Sequence, residues 1–425
     1  DSNGNLRPGP CQHSILVSRQ LFYAAKKFRK DCSDARIRDA TADFFKVESS
    51  IPHPSVDWDA DSADFGLHKL SFTDAMQLRC ADSADCNQLQ LALGDTSIEL
   101  LDRADRRRSH GVLQLVADHI ISRFPQLELL ELKPKHGPGA TSEAKNAAGK
   151  YLFANWPSKL ETTFPHDWFG LPNWSHGGYD GSDHGYSNSF RNHEPPSRLL
   201  AVPKTAKAPR LIAAEPVAHQ WIQQGLLKYL QQAIKRGCLR NCIDLKDQSF
   251  NGRLALSSSA TLSHATIDLS SASDRLSCHT VERAFRSKPD LLGAFHACRT
   301  RWIVNTVHSG LPKYTRIRKF AAMGSALTFP VQSITFAMVA IASVIISRKL
   351  SLSSISAVSK EVRIYGDDII VPMDSVTECI KLLTELGLKV NPAKTFFNGS
   401  FRESCGVDAY DGVDVTPAYV LEAYK

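Results

Sequence analysis

Cysteines paired at metal-ligand spacing are absent from this sequence. Its ten cysteines are scattered: Cys80 and Cys86 lie six apart and Cys238 and Cys242 four apart, with no matching second pair. That excludes a zinc framework and fits reduced, mostly buried thiols in a cytosolic protein. Internal repeats and low-complexity tracts are missing, which excludes a solenoid. No signal peptide is expected, and Asp1 is not taken as the natural start. A strong charge imbalance is lacking too: Lys plus Arg exceed Asp plus Glu by 51 to 44, a net +7. So small an excess permits nucleic-acid binding without requiring it. The apolar run Leu327 to Ile346 is long enough to span a bilayer. Pro330, Gln332, Ser333 and Thr335 interrupt its first half and no strong basic cluster flanks it, so a helix buried on all sides is expected instead.

With 425 residues, 43% of them hydrophobic, the chain can bury a large core in roughly two or three subdomains. The first 130 residues show helical periodicity around Leu100 to Phe124 and no evident chemistry. His136 to Thr141 is a glycine-proline turn, either a backbone cradle for phosphates or a plain loop. Residues 165 to 197 read as an irregular aromatic loop in which His176, His184 and His193 are too loosely spaced for a metal site. Its rings suit base stacking or ordinary loop packing. Ala218 to Arg236 reads as a helix, with Ile222, Leu226, Leu230 and Ile234 on one stripe. Asp374 and Ser375 are candidate caps for a further helix through Leu386, closed by Gly387, with a strand near Leu388 to Val390.

The chemistry concentrates around Tyr365-Gly366-Asp367-Asp368. Val362 and Ile364 lead in and Ile369, Ile370 and Val371 lead out, which predicts a hairpin with a tight acidic turn. Such a turn at glycine can bring both carboxylates forward, where they repel unless a cation lies between them. Magnesium suits carboxylates that also face phosphates. An isolated match is read as plainly as an acidic surface turn. A second acidic element changes that: His264 to Leu269 looks like a short strand carrying Asp268. A two-metal site needs oxygen ligands from several elements, with ions about 3.5–4 Å apart. The plainer role for Asp268 is a helix cap ahead of Ser270, Ser271 and Ser273. Arg198, Lys204, Lys207 and Arg210 fall within thirteen residues that contain no acid, either a phosphate-binding stretch or a solvated basic loop.

These runs occur together with Val202-Pro203-Lys204-Thr205, Ile243 to Ser249, Ile267 to Asp274, Met323-Gly324, Thr328-Phe329 and Phe401 to Gly406. In that order they resemble the RNA-directed RNA polymerases of positive-strand RNA viruses, specifically the replicase catalytic subunit of single-stranded RNA bacteriophages, the levivirus type. The resemblance covers about half of the chain and little of the N-terminal third. It implies an α+β right-hand polymerase: residues 1–130 associated with fingers, 131–260 fingers, 261–290 palm, 291–320 an insertion and 321–425 palm. The palm sheet would be antiparallel and flanked by helices. The family continues into a thumb, which is expected to be missing or reduced here.

The resemblance also implies roles. Asp268, Asp367 and Asp368 fall at the positions of ligands to two magnesium ions, with manganese as a substitute. Lys204, Lys207 and Arg210 fall in the motif that neutralises the incoming triphosphate. Asp274 falls where the ribose 2′-hydroxyl is sensed, with a bond to Arg275 or a backbone amide as its plainer role. Gly324 would let backbone approach template or nucleotide, and Ser325 stands where related replicases often carry asparagine. Lys394, with Lys389 as rival, would act on departing pyrophosphate, and Phe401 to Gly406 would support the growing 3′ end. Implied partners are RNA template and product, ribonucleoside triphosphates, host translation elongation factors and a ribosomal protein, in the cytoplasm of a bacterial host and without a membrane. Reverse transcription and non-catalytic RNA binding are the rival readings. Polar Asp274, rather than a bulky residue shortly after Asp268, favours ribonucleotides.

Overall fold

The predicted apolar helix forms as Thr328–Ser347, and the main core is arranged around it. Its mean hydropathy of 2.0 would suit a membrane span, yet 89% of that window is buried inside the protein. The computed structural model describes residues 9–28, 31–54, 97–144, 146–151, 153, 155–170, 194–205 and 208–421.

Three amphipathic helices supply most of the sheath. Val217–Arg236 buries the predicted stripe of Ile222, Leu226, Leu230 and Ile234. Ser97–Ile121 contributes Val116, Ile120 and Ile121, and Val376–Glu385 contributes Val376, Cys379, Leu382 and Leu383. Each such aliphatic side chain contributes ~1.5–3 kcal/mol on full burial, so this stripe-to-helix packing holds the site's scaffold in place. Gly387, at φ 81°, ends the last helix as predicted. The capping expectation fails: Ser375 has no cap bond and its hydroxyl donates to Pro372 O at 2.8 Å. Asp374 instead accepts from Arg348 at 2.7 Å.

A three-stranded antiparallel sheet lies against this core, with Asp368–Pro372 central between His264–Ile267 and Arg363–Tyr365. Its strands are short and β-branched, and the pairing of Ile267 with Ile369 fixes which side chains face the core. The first strand stops one residue before Asp268 rather than running through Leu269, and Leu269–Ser270 pairs separately with Lys389–Val390. Phe396 bridges Thr266 and covers the outer edge of the sheet.

A four-stranded sheet runs in the order Arg210–Ala214, Ser197–Val202, Trp302–Asn305, Tyr314–Arg316. The stretch 291–320 is therefore structured, and its strands extend the sheet that carries the basic motif. Phe44, from the helix Asp34–Ser50, joins Leu199, Leu211, Ile303 and Ala322 in a second, smaller core. That packing draws the N-terminal region into the site. A last sheet, Phe401–Ser404, Val407–Tyr410 and Val413–Asp414, lies beside Ser249–Thr261. Among the described residues eight cysteines are free, four of them buried, in keeping with unpaired thiols.

Candidate functional site

Three carboxylates converge at one end of the antiparallel sheet. Asp268 follows Ile267 and Asp368 precedes Ile369, and those two isoleucines are paired. Continuing the register by one residue sets Asp268 opposite Asp368. The turn is a two-residue loop, closed by the pairing of Tyr365 with Asp368. Gly366 takes φ 64° while Asp367 does not, the pattern of a II′ hairpin turn with glycine first. A side chain at Gly366 would also stand 2.7 Å from the Phe329 ring. Its N–H donates to Ser333 Oγ at 3.2 Å, which ties the turn to the buried helix.

The turn does not bring both carboxylates forward alike. Asp367 is exposed and lines the cleft. Asp368 turns towards the neighbouring hairpin, where the Ser404 hydroxyl donates to Oδ1 at 3.3 Å and the Cys405 thiol to Oδ2 at 3.5 Å. Burial, and then the neighbouring Asp367 charge, push Asp368 up to about 6. Asp268 is held by Asn391, whose side-chain amide donates to Oδ2 at 2.8 Å and whose backbone N–H donates to Asp268 O at 2.9 Å. Burial raises Asp268 above the usual carboxylate range, against the pull of Lys394. Asp268 is not a helix cap; Ser271 takes that position.

A cleft of about 710 Å³ collects the candidates: Asp268, Asp367, Lys204, Arg210, Asp274, Gly324, Ser325 and Lys394 all line it. Lys204 and Arg210 flank the connection between two paired strands, in which Val202 faces Arg210. Desolvation, then the Arg210 guanidinium, hold Lys204 below its ordinary value, while Asp367 and Asp268 pull it back. Lys207 lies outside the described residues, as do His176, His184 and His193. Lys394 Nζ sits 3.3 Å from Glu403 Oε1 and 3.8 Å from Asp268 Oδ1. Burial lowers this ammonium, but Glu403 and Asp268 outweigh it and the group is raised. Lys389 is exposed on its strand and does not line the cleft.

Gly324 is required for a reason internal to the protein. At φ 126°, a Cβ there would stand 1.9 Å from Ala213 O, and Met323 O accepts the Ala213 N–H at 2.7 Å. The close approach is thus to the basic strand, while its neighbour Ser325 faces the cleft. Ser325 Oγ accepts the Leu327 N–H at 3.3 Å, leaving the hydroxyl proton to donate elsewhere. The Gly137 and Gly139 carbonyls of the glycine-proline turn both accept from Lys150, so that loop is tied internally.

Asp274 has a partner that the sequence did not suggest. Lys319 Nζ lies 2.9 Å from Asp274 Oδ1 and 3.2 Å from Glu48 Oε2, and 3.5 Å from the centre of the Phe44 ring. Lys319 is fully buried. Arg275 is not that partner. Sequence reasoning also missed Asn391, Glu403, Ser404 and Gln332, the last lining the cleft from the buried helix. Glu403 and Ser404 lay inside the Phe401 to Gly406 run and Asn391 stands three residues before Lys394, so their polarity beside apolar strands was a usable signal. Glu48 and Lys319 are 271 residues apart and carried none.

Among the described residues no group of three or more His, Cys, Asp or Glu side chains is drawn together closely enough to hold a metal ion unaided. The donor set is nonetheless that of magnesium, which takes one or two carboxylates and completes its shell with waters and substrate phosphates. Two of the three aspartates are electrostatically strained in the way that a cation relieves.

Residues 182–425 match the model of the RNA replicase beta-chain family, and the chain belongs to that family. Among its relatives are the RNA-directed RNA polymerase beta subunit of Qbeta virus strain MX1, 36% identical over 228 residues. The beta chain of Enterobacteria phage fr is 35% identical over 223 residues, and that of Escherichia phage MS2 is 35% identical over 224. These stretches are 53%, 52% and 52% of this chain but only 36%, 37% and 37% of the relatives. The chain thus spans little more than a third of the relatives it matches. A solved RNA-dependent RNA polymerase of bacteriophage phi12 aligns with 68% of this chain and 55% of its own, at a TM-score of 0.43 and 13% identity.

Proposed function

We propose that the chain is the nucleotidyl-transfer part of an RNA-directed RNA polymerase that copies a viral single-stranded RNA in a bacterial host cell. The observation that carries this reading is the meeting of Asp268, Asp367, Lys204, Arg210 and Lys394 in one cleft, with Asp368 set opposite Asp268. The antiparallel sheet with its three aspartates serves as the palm, covering 261–290 and 321–425. The sheet carrying the basic motif serves as fingers, within 131–260 and 291–320; of the N-terminal residues, the helix Asp34–Ser50 packs beside it through Phe44, whereas Ser97–Ile121 packs on the buried helix Thr328–Ser347.

Lys204 and Arg210 bind the triphosphate and stabilise charge that grows on its oxygens, with arginine offering a bidentate fork. Lys207 shares that role by its place in the motif. Asp274, aimed by Lys319, accepts a hydrogen bond from the ribose 2′-hydroxyl, and Ser325 donates to the same sugar. Lys394, kept protonated by Glu403 and Asp268, holds a proton for the departing pyrophosphate. Asn391 keeps the Asp268 carboxylate pointed at the reacting end of the RNA. Asp268, Asp367 and Asp368 are the residues to hold divalent ions. Bound magnesium would acidify the 3′-hydroxyl and neutralise the leaving group.

Magnesium-dependent incorporation of labelled ribonucleotide on a defined RNA template tests the reading. Asp367→Asn is expected to abolish extension while RNA binding persists; equal loss of both would point to a folding role instead. Preference for deoxyribonucleotides on the same template would favour reverse transcription, and RNA binding without any incorporation would favour a non-catalytic module.

A further inference from the structure

A second basic surface lies at the opposite end of the antiparallel sheet. There His264 pairs with Pro372, roughly 14 Å along the strand from Asp268, and Arg363 pairs with Ile370, roughly 7 Å along the strand from Asp368. A groove of about 740 Å³ at this end includes Phe250, Arg253, Lys360 and Arg363 in its wall. An adjoining hollow of about 300 Å³ shares Phe250, Lys360 and Arg363 and adds Arg240 and Asp244. The two form one trough, and no residue of it lines the catalytic cleft.

Only part of its charge is paired among the described residues. Arg348 is committed to Glu361 at 2.8 Å and Asp374 at 2.7 Å. Arg240, Lys360 and Arg363 have no acidic partner at ion-pair distance among the described residues. Asp244 is occupied by the backbone N–H groups of Lys246 and Asp247, at 2.9 and 3.1 Å. Between the cations Phe250 keeps 38% of its surface exposed. The Arg253 and Arg363 guanidinium carbons lie 4.4 and 5.0 Å from its ring centre. An apolar ring that stays partly exposed between two guanidinium groups offers a base a stacking surface of ring and planar cations, and a backbone its counter-charges.

We infer that this trough binds a single-stranded segment of RNA, template or product, outside the catalytic cleft. Unpaired bases fit the exposed ring, which a duplex would hide from its own bases. An acidic protein would use the cations and leave the ring without a role. The inference rests on the polymerase reading only in taking RNA as the nucleic acid.

The test uses the full chain and a thiouridine-labelled unpaired RNA long enough to reach both sites. Photocrosslinks are expected in the peptides holding Phe250 and Lys360 to Arg363. The triple variant Arg240→Ala, Lys360→Ala, Arg363→Ala should bind this RNA about tenfold more weakly. Its salt dependence should flatten by about 0.7 in logarithmic slope for each phosphate that the variant no longer neutralises. Phe250→Ala, which removes only the ring, should lower affinity about tenfold without changing that slope. Extension of a short primer–template confined to the cleft should be unchanged in both variants. Unaltered affinity and slope, or crosslinks confined to cleft peptides, would overturn the inference. So would equal loss of binding to a polyglutamate probe, which would mark an acidic-protein surface. Crosslinks in the trough of a chain that incorporates no nucleotide would refute the polymerase reading and leave this one standing.

Discussion

Replacing Lys319 by methionine probes the link between the N-terminal helix and the cleft. The lysine is fully buried and its ammonium is shared by Glu48 and Asp274 at 3.2 and 2.9 Å. Methionine keeps much of the stem's volume and its packing on Phe44, so the change isolates the charge. Removing one partner of a buried ion pair costs ~3–5 kcal/mol, because the remaining charge is stranded. Glu48 retains the backbone N–H groups of Arg318 and Lys319, and the Asp274 side chain is 13% exposed and reaches water. The lower end, ~3 kcal/mol, is therefore expected. Adding Glu48→Gln removes the stranded carboxylate, so the double variant should lose less than the sum of the singles by ~1–2 kcal/mol. Urea midpoints of the four proteins, read by tryptophan fluorescence, give the coupling. In parallel, Lys319→Met should narrow the preference for ribo- over deoxyribonucleotides through KM, since Asp274 loses its aim. Losses that add to within ~0.5 kcal/mol would refute the shared-cation reasoning.

Glu215 is buried, and burial raises its carboxyl to about 7 despite hydrogen bonds from Thr300 and Gln223. The folded state then binds the extra proton between the ordinary glutamate value and about 7, so this group's contribution falls as pH rises through that window. Glu215→Gln should be more stable than the parent at pH ~8, by on the order of 3 kcal/mol, and indistinguishable at pH ~4; melting curves at both pH values decide it. Gly324→Ala must relieve a clash with Ala213 O in a backbone region that alone costs ~1–3 kcal/mol, so a marked fall in Tm and a raised nucleotide KM are expected. Asn391→Ala frees the Asp268 carboxylate and should slow single-turnover incorporation about tenfold with RNA affinity unchanged. An unaltered single-turnover rate would remove Asn391 from the site.

What the sequence made legible was local or periodic. The buried helix, the stripe on Val217–Arg236 and the hairpin around Gly366 follow from hydropathy period and turn chemistry, which act within a few residues. The meeting of Asp268 with the hairpin was an inference from chemistry, and strand register supplies it. Other features depend on distant chain. Asp368 looked like the twin of Asp367, yet the hairpin at Ser404 and Cys405 gives it separate surroundings. Gly324 looked like a place for substrate, yet the Ala213 carbonyl fills it. Asp374 looked like a cap until Arg348, 26 residues away, claimed it. Glu48 sat in a segment without apparent chemistry, because its meaning lies in a lysine on another element.

Counting bound divalent ions tests the central claim most directly. Manganese, titrated by electron paramagnetic resonance with a non-hydrolysable ribonucleotide and RNA present, should saturate at two tightly held ions per chain. The triple variant Asp268→Asn, Asp367→Asn, Asp368→Asn should hold none of them beyond what the nucleotide binds alone. Two ions retained by that variant, with unchanged affinity, would contradict the account.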